Sequence, residues 1–183
     1  MQTPSANCWG SIAYTAMNNP STGTVPAGSS GEFKVAWSAQ DLYVLAYVQS
    51  WPLYNAGATA FKDDNVEFYV AGDDTKLSGA YGPADCHYNV PYTDAESAGA
   101  GCQITGPVTA VTKTVQGVGY YDELIVPWST LRVSAPAKGQ QYSFTIAYDI
   151  PNSSGTRLGQ DEWAGGANNN ASETLDWGTI TLQ

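Results

Sequence analysis

Apolar and polar positions alternate with a period of two along most of this 183-residue chain. Phe33, Val35 and Trp37 alternate with polar or small residues, and Leu42 to Val48 is nearly apolar throughout. Val66, Phe68 and Val70 interleave with Asn65, Glu67 and Tyr69, and Cys86, Tyr88 and Val90 with His87, Asn89 and Pro91. Further segments run from Val108 to Val115, Tyr120 to Val126 and Tyr142 to Ile150, and the chain closes on Trp177, Ile180 and Leu182. These runs are rich in β-branched and aromatic residues and are bounded by Gly, Pro, Asn and Asp, which is strand punctuation. Helical spacing is confined to one turn at most, at Pro127 to Leu131. The pattern predicts an all-β fold, an antiparallel two-sheet β-sandwich of some eight or nine strands, forming a single domain over 1–183. Asn18 to Gly31, rich in Ser, Gly, Pro and Thr, is expected to be the flexible segment.

Alternation also decides which residues share a surface. If Val66, Phe68 and Val70 face the core, Asn65, Glu67 and Tyr69 face away from it. The same parity turns His87, Asn89, Thr145, Ala147 and Asp149 outward. Such a face is polar and poor in positive charge, which suits hydroxyl-rich ligands. The segment Trp51–Phe61 adds Trp51, Tyr54 and Phe61, whose rings are suited to the apolar face of a sugar. Covering the end of the sandwich is the plainer role for these aromatics, and a solvated or paired surface carboxylate is the plainer role for Glu67.

Composition narrows the classes. The chain carries a net charge of −10 with only seven Lys and Arg, which argues against nucleic acid and anionic membrane surfaces as partners. Its apolar runs are too short for a membrane-spanning helix. No basic-then-apolar leader opens it, so it reads as a mature chain or as an excised piece of one, and its neutral-polar, aromatic-rich composition is expected of a secreted, extracellular domain. A single histidine argues against a His-based triad or a multi-histidine metal site. Carboxylates are available for glycosidase chemistry at Asp63, Asp64, Glu67, Asp122, Glu123, Asp149, Asp161 and Glu162, but no pair stands out, and no enzyme activity is expected. Asp63 and Asp64, beside Lys62, read instead as a turn that stops edge pairing or as calcium ligands. Asp73–Asp74 and Asp161–Glu162 offer similar oxygens. No organic cofactor is expected. Among the three cysteines, Cys86–Cys102 is the favoured bridge, with Cys8 left as a thiol near Trp9; three reduced cysteines are the alternative. Closing a loop of about 16 residues is worth roughly 3 kcal/mol in the chain-entropy view.

The ordered segments Glu32-Phe-Lys-Val-Ala-Trp, Asp41-Leu-Tyr-Val-Leu-Ala-Tyr-Val and Asp64-Asn-Val-Glu-Phe-Tyr-Val resemble the opening half of family 9 carbohydrate-binding modules. Tyr120 to Trp128, Phe144-Thr-Ile-Ala-Tyr-Asp, Arg157-Leu-Gly and Trp177-Gly-Thr-Ile-Thr-Leu continue the likeness, and Cys8-Trp9-Gly resembles the family's early tryptophan. Those modules are similar to the DOMON-like, jelly-roll sandwich group. The resemblance implies structural calcium, a polysaccharide or oligosaccharide ligand of the cellulose or xylan class, and a place fused to or beside a glycoside hydrolase. It puts Glu67 on the family's glutamate position, Arg157 on an arginine position and Asn168 near an asparagine position. Phe61 stands where the first of two sandwiching tryptophans falls, and Asn168 to Glu173 holds no aromatic for the second. Asn89 replaces a strand arginine and His87 a neighbouring glutamine. Two alternatives remain: a DOMON-like redox domain holding haem or another metal through His87, with Met17 as the other axial candidate, and a structural or interaction sandwich with a degenerate sugar site.

Overall fold

The computed structural model describes residues 9–93, 97–98 (backbone only), 108–166 and 169–183. In chain order the strands are β1 (Thr15–Met17), β2 (Asn19–Gly23), β3 (Ser30–Trp37), β4 (Asp41–Gln49), β5 (Asn65–Ala71), β6 (Asp85–Pro91), β7 (Ser97–Ala98), β8 (Thr109–Val115), β9 (Gly119–Pro127), β10 (Gln141–Pro151), β11 (Arg157–Glu162) and β12 (Gly178–Thr181). A single 3-10 turn at Ala60–Lys62 leads into β5. One sheet has the order β1-β3-β4-β9-β8. The other runs β2-β11-β10-β5-β6-β7, and β12 pairs with β10 beside β11. Every described pairing is antiparallel.

The strands predicted from alternation are present, and the two sheets stack as a sandwich. Val66, Phe68 and Val70 of β5 meet Val44, Ala46 and Val48 of β4 in one core cluster with Phe144, Ile146, Tyr148, Trp128 and Leu131. One expectation is corrected. The stretch expected to be a flexible loop contains β2 and the start of β3, because backbone pairing with β11 and β1 satisfies its amides without an alternating side-chain pattern. β11, whose sequence RLGQDE lacks β-branched residues, is a strand for the same reason: both its neighbours supply partners. Leu42 to Val48 is apolar on both faces because Tyr43 packs under Trp9 and Ile125, with Leu45 beside them, on the far side of its sheet.

Gly31 marks how closely the layers meet. A Cβ there would lie 2.4 Å from Tyr148 Cδ1 and 2.6 Å from Met17 Cε. Both neighbours are buried in the core and have little room to yield. Gly31→Ala is therefore expected to cost about 1–3 kcal/mol of stability, measured by urea denaturation; an unchanged midpoint would mean that the seam is looser than these distances.

Candidate functional site

The outer face of the seven-stranded sheet collects the polar groups. β5 turns Asn65, Glu67 and Tyr69 to it, because Val66, Phe68 and Val70 take the core. Register sets Glu67 opposite Asn89 of β6 and Ala147 of β10, and Ala147 opposite Glu162 of β11. In the next row Asn65, Asp149 and Gln160 lie side by side. Arg157 stands three residues before Gln160, which strict alternation would send to the opposite face. A register shift at Ile150/Pro151 re-aims it, so that both side chains reach Asp149.

This face points away from the core, as alternation predicts, but it is not solvated. Glu67 is 3% exposed, Asp149 0% and His87 7%. The connections after β5 and β11 cover it with aromatics: Trp177 leans on Tyr69, Tyr81 meets Trp177 edge-on, and the Tyr81 hydroxyl donates to the Asn170 carbonyl.

Under that cover the polar groups form one network. Glu67 Oε2 accepts from the Tyr69 hydroxyl at 2.5 Å and lies 2.7 Å from His87 Nε2. Its Oε1 accepts from Gln160 Nε2 at 2.8 Å and lies 3.6 Å from Arg157 Nη1. Asp149 Oδ1 accepts from Gln160 at 3.0 Å and from Arg157 at 3.1 Å, and Asn65 Nδ2 donates to both Asp149 Oδ2 and Asn89 Oδ1. The His87 ring is stacked on Tyr69, with centroids 4.2 Å apart. Burial opposes charge on Glu67, but the hydrogen bond and charge of His87, with the Asp149 and Tyr69 bonds, hold its carboxyl down at about 2. Burial and the Glu67 charge push Asp149 well above the ordinary carboxyl range, against the pull of Arg157 and Asn65. The two shifts run in opposite senses, favouring the ionised form of Glu67 and the protonated form of Asp149.

The site opens to solvent at Arg157 and Phe61. Phe61 is 39% exposed, and the Arg157 guanidinium carbon lies 5.3 Å from its ring centre. The structure therefore brings together Glu67, His87, Asn89, Arg157 and Phe61. Trp51, half-exposed, and Tyr54 lie in the connection before the 3-10 turn; no described contact joins their side chains to Glu67, while the Tyr54 amide donates to Asp64 Oδ2 at 2.6 Å. Asn168, Cys8 and Cys102 lie outside the described residues; Cys86 is buried in the core on β6. Met17 belongs to the inter-sheet core, whereas His87 stands on the outer face of the other sheet, so the two are not poised to share a haem. A groove of about 510 Å³ opens elsewhere, between the Lys34–Trp37 edge of β3 and β12, away from these polar groups.

Calcium was expected at Asp63 and Asp64. Asp64 is fully buried, its Oδ1 has no hydrogen-bond partner, and burial pushes its carboxyl up to about 6. That lone buried oxygen fits a hard cation. Asp63 Oδ1 is held by the Gly57 amide at 2.7 Å. Among the described residues no group of three or more His, Cys, Asp or Glu side chains is arranged to hold a metal ion.

A family profile described as "Carbohydrate family 9 binding domain-like" matches residues 3–183. The chain belongs to this family. The family 9 domain is 25% identical over 174 residues to endo-1,4-beta-xylanase A of Thermotoga neapolitana, covering 95% of this chain and 16% of the xylanase. It is 27% identical over 160 residues to the Thermotoga maritima enzyme of the same name, covering 87% of this chain and 14% of that one. It thus spans about a sixth of these relatives or less. In three dimensions it is similar to a family 9 module from Caldicellulosiruptor kristjanssonii solved with cellotriose (TM-score 0.87, 21% identity, all of this chain and 90% of that one). A glucose complex of such a module from that organism gives the same score at 22% identity and the same coverage. A further solved structure, from Bacteroides uniformis, is a more distant likeness, with TM-score 0.57 and 10% identity over 94% of this chain and 87% of that one.

In the family 9 domain, alternation located Glu67, His87 and Asn89. It missed the part played by Gln160, because β11 does not read as a strand, and the cover supplied by Tyr81 and Trp177, which arrive from irregular connections. The charge state of Glu67 gives a test. A carboxyl held down to about 2 contributes stability that is fully present above its unfolded value of 4.5 and is lost as pH falls through the folded one. Glu67→Gln is expected to be less stable than the parent at pH 6, with the gap closing as pH falls from about 5 toward 2. Thermal melts across that range check this, and a pH-independent gap would mean that Glu67 is not ionised in the fold. Asp149 acts in the opposite sense: its raised value makes its contribution largest in acid and removes it as pH rises.

Proposed function

We propose that this domain binds polysaccharides or oligosaccharides of the cellulose or xylan class without catalysing their cleavage, as a secreted module fused to or acting beside a glycoside hydrolase. The observation that carries this reading is the half-exposed Phe61 ring beside an Arg157 guanidinium that is itself held by two buried carboxyl groups, Glu67 and Asp149. A ring for the apolar sugar face and an oriented donor for its hydroxyls are the two halves of sugar recognition. Family membership supports the reading, as do the cellotriose and glucose in the related solved structures and the xylanases among the sequence relatives. In this proposal Glu67 accepts from sugar hydroxyls or holds Arg157 toward them. His87, Asn89 and Asn168 complete the polar contacts, and Trp51 or Tyr54 offers a second ring. Calcium bound through Asp64, with Asp63 beside it, is proposed as a structural ion that stabilises the fold by mass action; chelation should then lower the melting temperature.

Isothermal titration with cellotriose and xylotriose tests the site. Glu67→Gln and Phe61→Ala are each expected to weaken binding about tenfold or more, and Trp51→Ala comparably if its ring stacks on the sugar. Parent-like binding by both Glu67→Gln and Phe61→Ala would put the glycan elsewhere on the module. The proposed Cys86–Cys102 bridge predicts one free thiol per chain in denaturing, non-reducing buffer, and three free thiols in protein made under oxidising conditions would remove it.

A further inference from the structure

Positive charge is scarce in this chain, which has seven Lys and Arg against seventeen Asp and Glu. Two of the seven meet at one exposed ring. Lys62 Nζ lies 5.8 Å from the centre of the Phe61 ring, and the Arg157 guanidinium carbon lies 5.3 Å from it. The cations come from different parts of the chain, Lys62 from the 3-10 turn before β5 and Arg157 from the first residue of β11.

Close backbone packing fixes the pair. Gly155, in the turn that leads to Arg157, has φ +72°, and a Cβ there would lie 2.6 Å from the Ala56 carbonyl oxygen. A Cβ on Gly57 would lie 2.5 Å from Lys62 Cβ. The turn before β11 thus sits against Ala56 and Gly57, and Gly57 against Lys62, with no room for a side chain at either step. The carboxyl groups that follow Lys62 are spent on backbone amides: Asp63 Oδ1 accepts from Gly57 at 2.7 Å and Asp64 Oδ2 from Tyr54 at 2.6 Å. Among the described residues neither a hydrogen bond nor an ion pair occupies Lys62 Nζ. Arg157 reaches Asp149 and Glu67 through Nη1 alone. A cation–π contact uses the charge of an ammonium group without using its three N–H donors.

From two cations converging on one exposed aromatic ring, we propose that the mouth of this site takes an acidic sugar, a uronic acid residue of the glycan, in preference to its neutral counterpart. The apolar face of the sugar lies on Phe61, and its carboxylate is shared between the Lys62 ammonium and the remaining donors of Arg157. A uronate carries both features on one ring, whereas a simple carboxylate lacks the apolar face and glucose lacks the charge. The net charge of −10 disfavours anions at long range. Salt screens that repulsion beyond about 8–10 Å, and direct contacts with the two cations are shorter. This inference rests on the glycan reading above and narrows its ligand class.

Isothermal titration of the parent with sodium D-glucuronate, the methyl ester of D-glucuronic acid and D-glucose separates charge from ring shape. Glucuronate is expected to bind about tenfold more tightly than either neutral sugar. Sodium acetate at the same concentration is expected not to displace it. Lys62→Met keeps the length of the side chain without its charge, and is expected to lose the preference while binding cellotriose as the parent does. Lys62→Arg is expected to keep the preference. Circular dichroism checks that each variant is folded; if Lys62→Met is not, the comparison of the three sugars on the parent decides. A parent that binds cellotriose, but glucuronate no better than glucose, overturns this inference and leaves the glycan reading standing. Failure to bind any of these sugars removes both. A preference that survives in folded Lys62→Met, or glucuronate displaced by acetate, also overturns it.

Discussion

Two carboxyl groups buried side by side on one sheet face constrain the rest of this molecule. Glu67 and Asp149 accept from the same Gln160 amide nitrogen, and the same Arg157 nitrogen reaches both. An isolated buried charge is prohibitively costly, and two adjacent negative charges are worse. The fold meets that cost by favouring a proton on Asp149 and by supplying donors from three strands: Tyr69 and Asn65 from β5, His87 from β6, and Arg157 and Gln160 from β11, with Asp149 itself on β10. Each donor is in reach only if the sheet order and register are correct. A one-residue slip of β5 against β10 would bury Glu67 among Phe144 and Ile146 and expose Phe68. The polar network thus fixes the register of the central strands, and the apolar core on the opposite face agrees with it.

The aromatic cover follows from the same constraint. Had the outer face been left to water, Glu67 would need no set of four partners in Tyr69, His87, Gln160 and Arg157, and would have little hold on Arg157. Covered by Tyr69, Trp177 and Tyr81, its electrostatic interactions gain strength in the lower local dielectric, and the donors stand fixed before any ligand arrives. Preorganisation of this kind reduces the ordering cost of binding. It also accounts for the stacked Tyr69 and His87 rings, which would otherwise be an odd use of the chain's single histidine.

How much of this was legible in the sequence depends on whether an element has periodicity. β5, β6 and β10 carry clean alternation, so their faces, and with them Glu67, His87, Asn89 and Asp149, could be assigned from residues alone. Arg157 could not be assigned by parity, since only the register shift at Ile150/Pro151 turns it to Asp149; the family resemblance supplied it. β2 and β11 hold their places through backbone pairing, which leaves no side-chain signature, and Gln160 stayed hidden with them. The burial of the polar face was also illegible. It is imposed by connections whose Tyr81 and Trp177 have no periodic relation to the strands that they cover. Alternation says which side of a sheet a residue takes, and it is silent on what lies above that side.

The gradient of exposure across the network orders the roles of its members. Phe61 is open, the Arg157 side chain is 17% exposed, and Glu67 lies beneath with a side chain 4% exposed. A ligand approaching from solvent meets the ring and the guanidinium before any carboxylate. Arg157 therefore has two faces: one nitrogen is tied inward to Asp149 and Glu67, and among the described residues no hydrogen bond holds the rest of the planar fork. Its orientation is set by the buried pair, while its reach is set by Phe61, beside which it lies. In the proposed reading Glu67 and Asp149 would serve recognition largely by holding the Arg157 cation in a fixed plane. That would explain why a module with so few positive charges keeps one of them pinned by two buried carboxyl groups.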